Sequence, residues 1–359
     1  MHVDLDYFFA QCEERENPSL RGRPVVICVY SARGADSGAV STANYIARKY
    51  GVRAGIPIAL AKRRLKNKDA VFLPVNRMLY ETVSENIMGL LRGYAGKFEQ
   101  VSIDEAFLDV TQRVGGSFER ARELAQEIKE NILAKEGLTC SVGIGPNKLI
   151  AKMAAAFQKP NGLTLVKSED VKTFLSGLPV GKLYGVGRKT ENRMLEMGIK
   201  TVGELAEYPV EDLVKAFGKT LGVYFHKASN GEDEEPVQER GMAESISRIT
   251  TLKENTRDLN TILEDLQRLS GEIHGRVVEQ GLNFKSIGIV AIMEDLSLHT
   301  KSKTLSGPTD NLEAIRKTAR ELLEGLLEKE PNLQLRRVGV KVANLTVDQK
   351  QKKLTEFAG

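Results

Sequence analysis

The sequence predicts a multidomain α+β protein, and three observations carry that prediction. Strand-like and helix-like runs alternate through residues 1–166. Residues 167–230 hold short helical pieces between Gly-rich turns, with few strand signals. After an acidic, turn-rich break the order becomes strand, helix, strand, strand, helix, strand. The 359 residues are enough for two to four domains.

Taken in order, Met1 to Asp6 read as a short strand, and Tyr7 to Ala10 lead into a turn or helix. The β-branched run Pro24 to Tyr30 is a buried strand, and Arg33 to Gly38 is a loop. Thr42 to Tyr50 is helical in character. Leu79 to Leu91 is an amphipathic helix through Val83, Ile87, Leu90 and Leu91. Val101 to Val110 is strand-like. Phe118 to Leu133 is a helix with Ala121, Leu124, Ala125, Ile128 and Ile132 on one stripe, and Thr139 to Ile144 is a strand. Asn147 to Phe157 is a helix that stops at the turn Lys159-Pro160-Asn161-Gly162.

Gly231 to Pro236 (GEDEEP) breaks the pattern and reads as a linker. Beyond it, strands are expected at Ser245 to Leu252, Ser286 to Met293, Ser297 to Leu305 and Arg336 to Val342. Helices are expected at Thr256 to Gln280 and Asp310 to Glu328. Asp310 with Glu313 makes a capping box for the second helix, and the order of elements is ferredoxin-like.

Composition narrows the class. No window of about 18 apolar residues occurs, so a membrane span is not expected. The first ten residues lack the basic and apolar regions of a secretion signal. Cys12, Cys28 and Cys140 are odd in number and far apart, which disfavours a disulfide framework and a zinc site and suits a reducing, cytoplasmic setting. A net charge of +4 permits a nucleic-acid partner without demanding one.

The chemistry-bearing residues are carboxylates. Asp4 and Asp6 lie two apart on a strand and so share a face. Asp104 and Glu105 are adjacent, so they can converge only at a strand end or a bulge. Carboxylates suit Mg²⁺, which takes hard oxygen ligands and substrate phosphates together. Two such ions about 3.5–4 Å apart stabilise both an attacking and a leaving oxygen.

Five segments occur together in order: HVDLDYFFAQCEE (2–14), SGAVSTANYIARKYGVRAG (37–55), SIDEAFL (102–108), VGIGPNKLIAK (142–152) and KPNG (159–162). In these the chain resembles the Y-family DNA polymerases, the archaeal DinB-type members most of all. The resemblance runs from Met1 to about Val342. It implies a right-hand architecture: a ferredoxin-like palm (1–7 and 75–166), small fingers (8–74) and a helical thumb with a helix-hairpin-helix (167–230). A linker (231–243), a βαββαβ little finger (244–344) and a tail (345–359) would follow. It implies catalysis by Asp4, Asp104 and Glu105, which with the Leu5 carbonyl would hold two Mg²⁺, Mn²⁺ being able to substitute. Tyr7, Phe8, Phe9, Thr42, Tyr45, Arg48 and Lys159 would contact the incoming dNTP. Phe9 falls at the steric-gate position, and Ala39 and Ser41 would lie against the nascent base pair. On a helix, Thr42, Tyr45 and Arg48 would lie close to one face.

The expected partners are primer-template DNA, dNTPs and a sliding clamp, with the protein a monomer. Gly185, Gly187 and Arg188 resemble a hairpin whose backbone N–H groups bind a DNA phosphate. Arg248, Lys301, Lys303, Arg336 and Arg337 fall on strand segments whose open face could track a duplex, although Arg336 and Arg337 cannot both face one side. The acidic linker departs from the basic linkers of similar proteins. Gln351, Leu354 and Phe357 resemble a clamp-binding peptide, with Ala358 in place of the second aromatic. The activity implied is error-prone, low-processivity translesion synthesis, and no segment resembles a proofreading exonuclease. Two rivals stay open: a non-catalytic DNA-binding scaffold, and a two-metal nucleotidyl transferase of another kind, such as a cyclase.

Overall fold

In a computed structural model the described residues are 1–239, 241 and 243–347. The chain opens with β1 (His2–Leu5), followed by α1 (Phe8–Glu16), β2 (Val25–Tyr30), β3 (Gly38–Ala43), α2 (Tyr45–Arg48), α3 (Ile58–Arg64) and β4 (Val71–Pro74). Next come α4 (Arg77–Arg92), β5 (Lys97–Gln100), β6 (Glu105–Asp109), α5 (Phe118–Glu136), β7 (Cys140–Ile144), α6 (Lys148–Phe157) and β8 (Leu163–Leu165). The described residues fold into two compact units, residues 1–28, 40–56 and 61–239 in one and residues 29–39, 57–60, 241 and 243–347 in the other.

The first unit is built on a five-stranded sheet of order β5-β6-β1-β7-β8. Its first four strands, with α4 and α5 as crossovers, have the ferredoxin-like order expected of a palm, and β8 adds itself parallel to β7. Period-two alternation sorts the two faces. Val3, Leu5, Ala106, Leu108 and Val142 pack with the apolar stripes of α4 and α5. The opposite face carries His2, Asp4 and Glu105, and α6 lies across it over β7. That packing depends on Gly143, where a Cβ would stand 2.0 Å from the Ala151 carbonyl oxygen and 2.2 Å from the Ala155 nitrogen.

A three-stranded sheet of order β3-β2-β4 follows the opening helix. The helical run expected over Thr42 to Tyr50 is shorter than predicted. Thr42 lies within β3, and α2 begins only at Tyr45 because Asn44 caps it, its side chain accepting from the Ala47 N–H at 3.0 Å. Five helices come next: α7 (Val171–Ser176), α8 (Arg188–Glu196), α9 (Val202–Glu207), α10 (Val210–Phe217) and α11 (Lys219–Ser229). Met194, Leu205, Leu213 and Phe225 form their shared core.

The acidic segment is not a free linker. Asp233 accepts from the Leu149 N–H at 2.8 Å at the start of α6. Glu235 pairs with Lys148 at 3.2 Å and Glu239 with Arg92 at 2.5 Å. Two of its carboxylates, Glu235 and Glu239, are thus paired with cations of the first unit.

The second unit contains β9 (Ser245–Thr256), α12 (Leu259–Glu279), β10 (Leu282–Met293), β11 (Leu298–Thr309), α13 (Leu312–Lys329) and β12 (Leu335–Val347). Both helices cover one face of the sheet. The element order is the βαββαβ expected, but the strand order β11-β10-β12-β9 is not the ferredoxin one, because β10 pairs with β12 rather than β9 pairing with β11. The cap of α13 is also displaced. Asn311, not Asp310, accepts from the N–H groups of Glu313 and Ala314, so the expected capping box is absent.

Candidate active site

Asp4 of β1 and Glu105 of β6 are direct partners across an antiparallel ladder, so their side chains emerge on one face. Glu105 is the first residue of its strand, and Asp104 lies just outside it, with its carbonyl accepting from the Leu5 N–H at 2.9 Å. The strand end that the adjacent acids required is therefore present. Asp104 is oriented by Ser102, whose hydroxyl donates to Oδ1 at 2.6 Å.

Two lysines meet the acids. Lys159 donates to Asp4 from the 159–162 turn. Lys152 of α6 donates to Glu105 at 2.5 Å. Both depend on α6, which Gly143 allows onto the sheet. Burial pushes Asp4 up to about 6 despite Lys159, with Asp104 and Glu105 adding to the rise. Glu105 moves the other way, to about 2, drawn first by its contact with the His2 ring and then by Lys152.

His2 was not foreseen. It is 1% exposed, and its Nε2 stands 3.2 Å from Glu105 Oε2, off the line of a good hydrogen bond. Burial lowers it to about 4, so the ring is neutral near pH 7. Ligand atoms of His2, Asp4 and Glu105 lie within 4.8 Å of one another. The two carboxylates suit a hard divalent cation, which would displace the Lys159 and Lys152 ammonium groups from them, while the buried imidazole suits such an ion less well.

Asp6 departs from the expectation that it shares a face with Asp4. It lies beyond the end of β1 and is fully buried. It accepts from Ser141 at 2.8 Å, Thr139 at 3.0 Å and the Asn161 N–H at 2.8 Å. It thereby fixes the turn that carries Lys159.

The predicted nucleotide contacts fall into two groups. Phe8 is 2% exposed and belongs to the core, so its side chain cannot meet a nucleotide. Phe9 is half-buried and stacked on Tyr80, rings 4.3 Å apart and 10° from parallel. Tyr7 packs edge-on against Tyr45 at 5.4 Å. The Arg48 guanidinium lies 4.7 Å over the Tyr45 ring and donates to the Ala43 carbonyl at 2.8 Å. Thr42 stands on a strand rather than on the helix of Tyr45 and Arg48. Ala39 and Ser41 share one face of β3, between them the buried Val40.

Gly185 has φ +88, and a Cβ there would meet the Tyr224 ring at 2.8 Å. Gly187 caps α8 without a side chain, leaving first-turn N–H groups open to an anion. In the second unit, ladder register corrects three of the basic residues. Arg248 pairs with Val340, Lys301 with Ile289 and Lys303 with Ile287, and all three partners are core residues. Arg248, Lys301 and Lys303 therefore point to the helix-covered side, where Lys303 pairs with Glu321 of α13 at 2.9 Å. Arg337, opposite Ile292, faces the open side, and so does Lys341, opposite Gly288, which the sequence reading did not single out. Arg336 sits at the irregularity between Leu335 and Arg337. Gln351, Leu354 and Phe357 lie outside the described residues.

This arrangement meets known proteins along almost its whole length. Residues 3–156 match the impB/mucB/samB family, residues 243–355 its C-terminal domain, and residues 181–233 the thumb domain of DNA polymerase iota. The DNA polymerase IV of Nitrosopumilus maritimus is 46% identical over 99% of this chain and 98% of its own. The chain belongs to the Y family of DNA polymerases. The DNA polymerase IV of Methanosarcina acetivorans is 45% identical, again over 99% and 98% of the two chains. A solved Y-family polymerase chimera of Dbh and Dpo4 aligns with TM-score 0.91 and 40% identity over 97% of this chain and 99% of that one. An insertion ternary complex of Dbh aligns over the same shares with TM-score 0.70. As a Y-family member the chain is a DNA-directed DNA polymerase with a helix-hairpin-helix thumb.

Proposed function

We infer that the chain performs error-prone translesion synthesis, adding dNTPs to a primer 3′-hydroxyl on damaged templates and releasing pyrophosphate. The observation that carries this reading is the shared face of Asp4 and Glu105 beside Asp104, met by Lys159 and Lys152. Asp4, the Leu5 carbonyl, Asp104 and Glu105 would hold two Mg²⁺. When bound, these ions supply Lewis-acid activation of the 3′-oxygen and charge neutralisation at the leaving phosphates.

Lys159, Arg48 and Tyr45 would bind and orient the triphosphate, the guanidinium and ammonium serving as donors to its oxygens. Phe9, held by its stack on Tyr80, would stand where a ribose 2′-hydroxyl comes, and reject it. Small Ala39 and Ser41 would leave room at the nascent base pair, which supports weak discrimination and tolerance of lesions. The N-terminus of α8 and the open face bearing Arg337 and Lys341 would follow DNA phosphates. Residues 1–7 with 75–166, 8–74, 167–230 and 244–344 would serve as palm, fingers, thumb and little finger, and the tail as a clamp tether.

Primer extension on an intact template and on one with an abasic position tests the reading. Insertion opposite the abasic position is expected. Extension that always halts one nucleotide before it would leave a polymerase but remove the bypass role.

A further inference from the structure

The twenty residues from Lys49 to Lys68 contain seven lysines and arginines and no aspartate or glutamate. The other 339 residues then carry 45 basic against 48 acidic side chains, a net charge of −3. The protein's net positive charge is thus carried by one short stretch.

The fold closes this stretch on itself. Arg64, at the end of α3, donates through Nη1 to the Gly51 carbonyl at 2.5 Å. The Lys68 ammonium lies 5.2 Å over the Tyr50 ring. Both contacts pin the basic turn against the residues that immediately follow α2, the helix of Tyr45 and Arg48. Lys49, Arg53, Arg63, Lys66 and Lys68 are all exposed. The next acid along the chain, Asp69, is engaged by Arg23 at 2.8 Å. The surface therefore projects net positive charge beside the helix of Tyr45 and Arg48.

We propose that this surface is an electrostatic collector for nucleoside triphosphates, concentrating them next to α2 for transfer to Arg48 and Lys159. The proposal rests on reading those two residues as triphosphate contacts. A loaded polymerase presents a polyanionic template to a polyanionic substrate, and that repulsion slows capture. One-sign patches of this kind raise capture rates by roughly 10- to 1,000-fold, with steep sensitivity to salt. Triphosphate is favoured over a nucleic-acid strand because the pinned contacts abut the helix of Arg48 itself.

The test uses the full chain and its R63Q/K66Q/K68Q variant, which leaves Arg64 and its hydrogen bond intact. Single-nucleotide incorporation gives KM for dNTP, and a separate titration gives Kd for primer-template. At about 20 mM salt the variant's KM is expected to rise roughly 3- to 10-fold with kcat and primer-template Kd unchanged. The gap closes by about 0.3 M salt, where charges beyond a few ångströms are screened. The charge-conserving R63K/K66R/K68R variant keeps the wild-type KM. An unchanged KM at low salt in the active R63Q/K66Q/K68Q variant overturns the proposal alone. A weakened primer-template Kd in that variant, with a shallower salt dependence, reassigns the surface to a DNA strand. No incorporation by the wild-type chain would remove the triphosphate reading itself, and this proposal with it.

Discussion

Asp4 and Glu105 stand directly opposite each other on neighbouring strands, yet the fold drives them apart on the pH scale, to about 6 and about 2. Burial dominates at Asp4, while Glu105 is held by His2 and Lys152. One face thus offers a carboxylate ionised at any working pH beside one that ionises only near neutrality.

The first consequence is a pH dependence of the metal-free protein. Asp4 is raised above its unfolded value of 3.8, so native protein holds the extra proton between about pH 4 and 6. Its contribution is fully present below the unfolded value and is lost as pH rises through about 6. Near pH 7.5, Asp4→Asn should therefore be more stable than wild type, by on the order of 2–3 kcal/mol. The gap should close near pH 4. Denaturant unfolding at both pH values, with chelator present, measures it. A variant less stable at pH 7.5 would contradict the burial cost assigned to Asp4.

A second outcome concerns catalysis. Protonated Asp4 is a poor metal ligand, so metal-dependent incorporation should fall as pH drops through about 6. Raising the metal concentration should move the falling limb to lower pH, because metal and proton compete for one carboxylate. A limb that stays fixed across metal concentrations would assign the titration to some other group.

Gly143 is the structural hinge of the site. Gly143→Ala places a methyl carbon about 2 Å from the Ala151 carbonyl, against backbone that cannot swing aside. About 3 kcal/mol of destabilisation is expected, together with loss of activity, since α6 carries Lys152 and leads to Lys159. Urea unfolding followed by circular dichroism would show the shift. A wild-type midpoint would mean that α6 does not lie so close.

The order of elements was legible in the sequence because hydrophobic period and turn chemistry are local signals. The helices at 118–136 and 148–157 are examples. Long-range pairing was not. Nothing local distinguishes β10 beside β12 from a ferredoxin order, and a β-strand assignment alone does not say which side Lys301 or Lys303 faces. The register to core residues Ile289 and Ile287 does. The acids of the site were visible as short motifs. Their partners were not, because Lys152, His2 and Asp6 act through contacts spanning 47, 103 and 135 positions of chain.

Register also separates the basic residues experimentally. Lys341→Ala and Arg337→Ala should each weaken primer-template binding, and each should lower the salt slope of log K by about one. Lys303→Ala, which removes only a pair with Glu321, should leave that slope unchanged. Filter binding across a salt series distinguishes them. Equal slopes for all four proteins would argue against DNA on the open face.

Phe9 is locked against Tyr80 and tests the reading of the nucleotide pocket. Phe9→Val should raise ribonucleotide incorporation at least 10-fold relative to deoxyribonucleotide, with little change for the deoxy substrate. Competing incorporation of the two nucleotides measures the ratio. An unchanged ratio would move the 2′-hydroxyl contact elsewhere.

The most direct measurement is single-nucleotide incorporation with Mg²⁺ on a primed template, comparing wild type with Asp104→Asn and Glu105→Gln. Wild type should extend the primer, and each variant should lose about 1,000-fold or more in kcat while still binding primer-template. Equal extension by wild type and both variants would contradict the assignment of catalysis to these carboxylates.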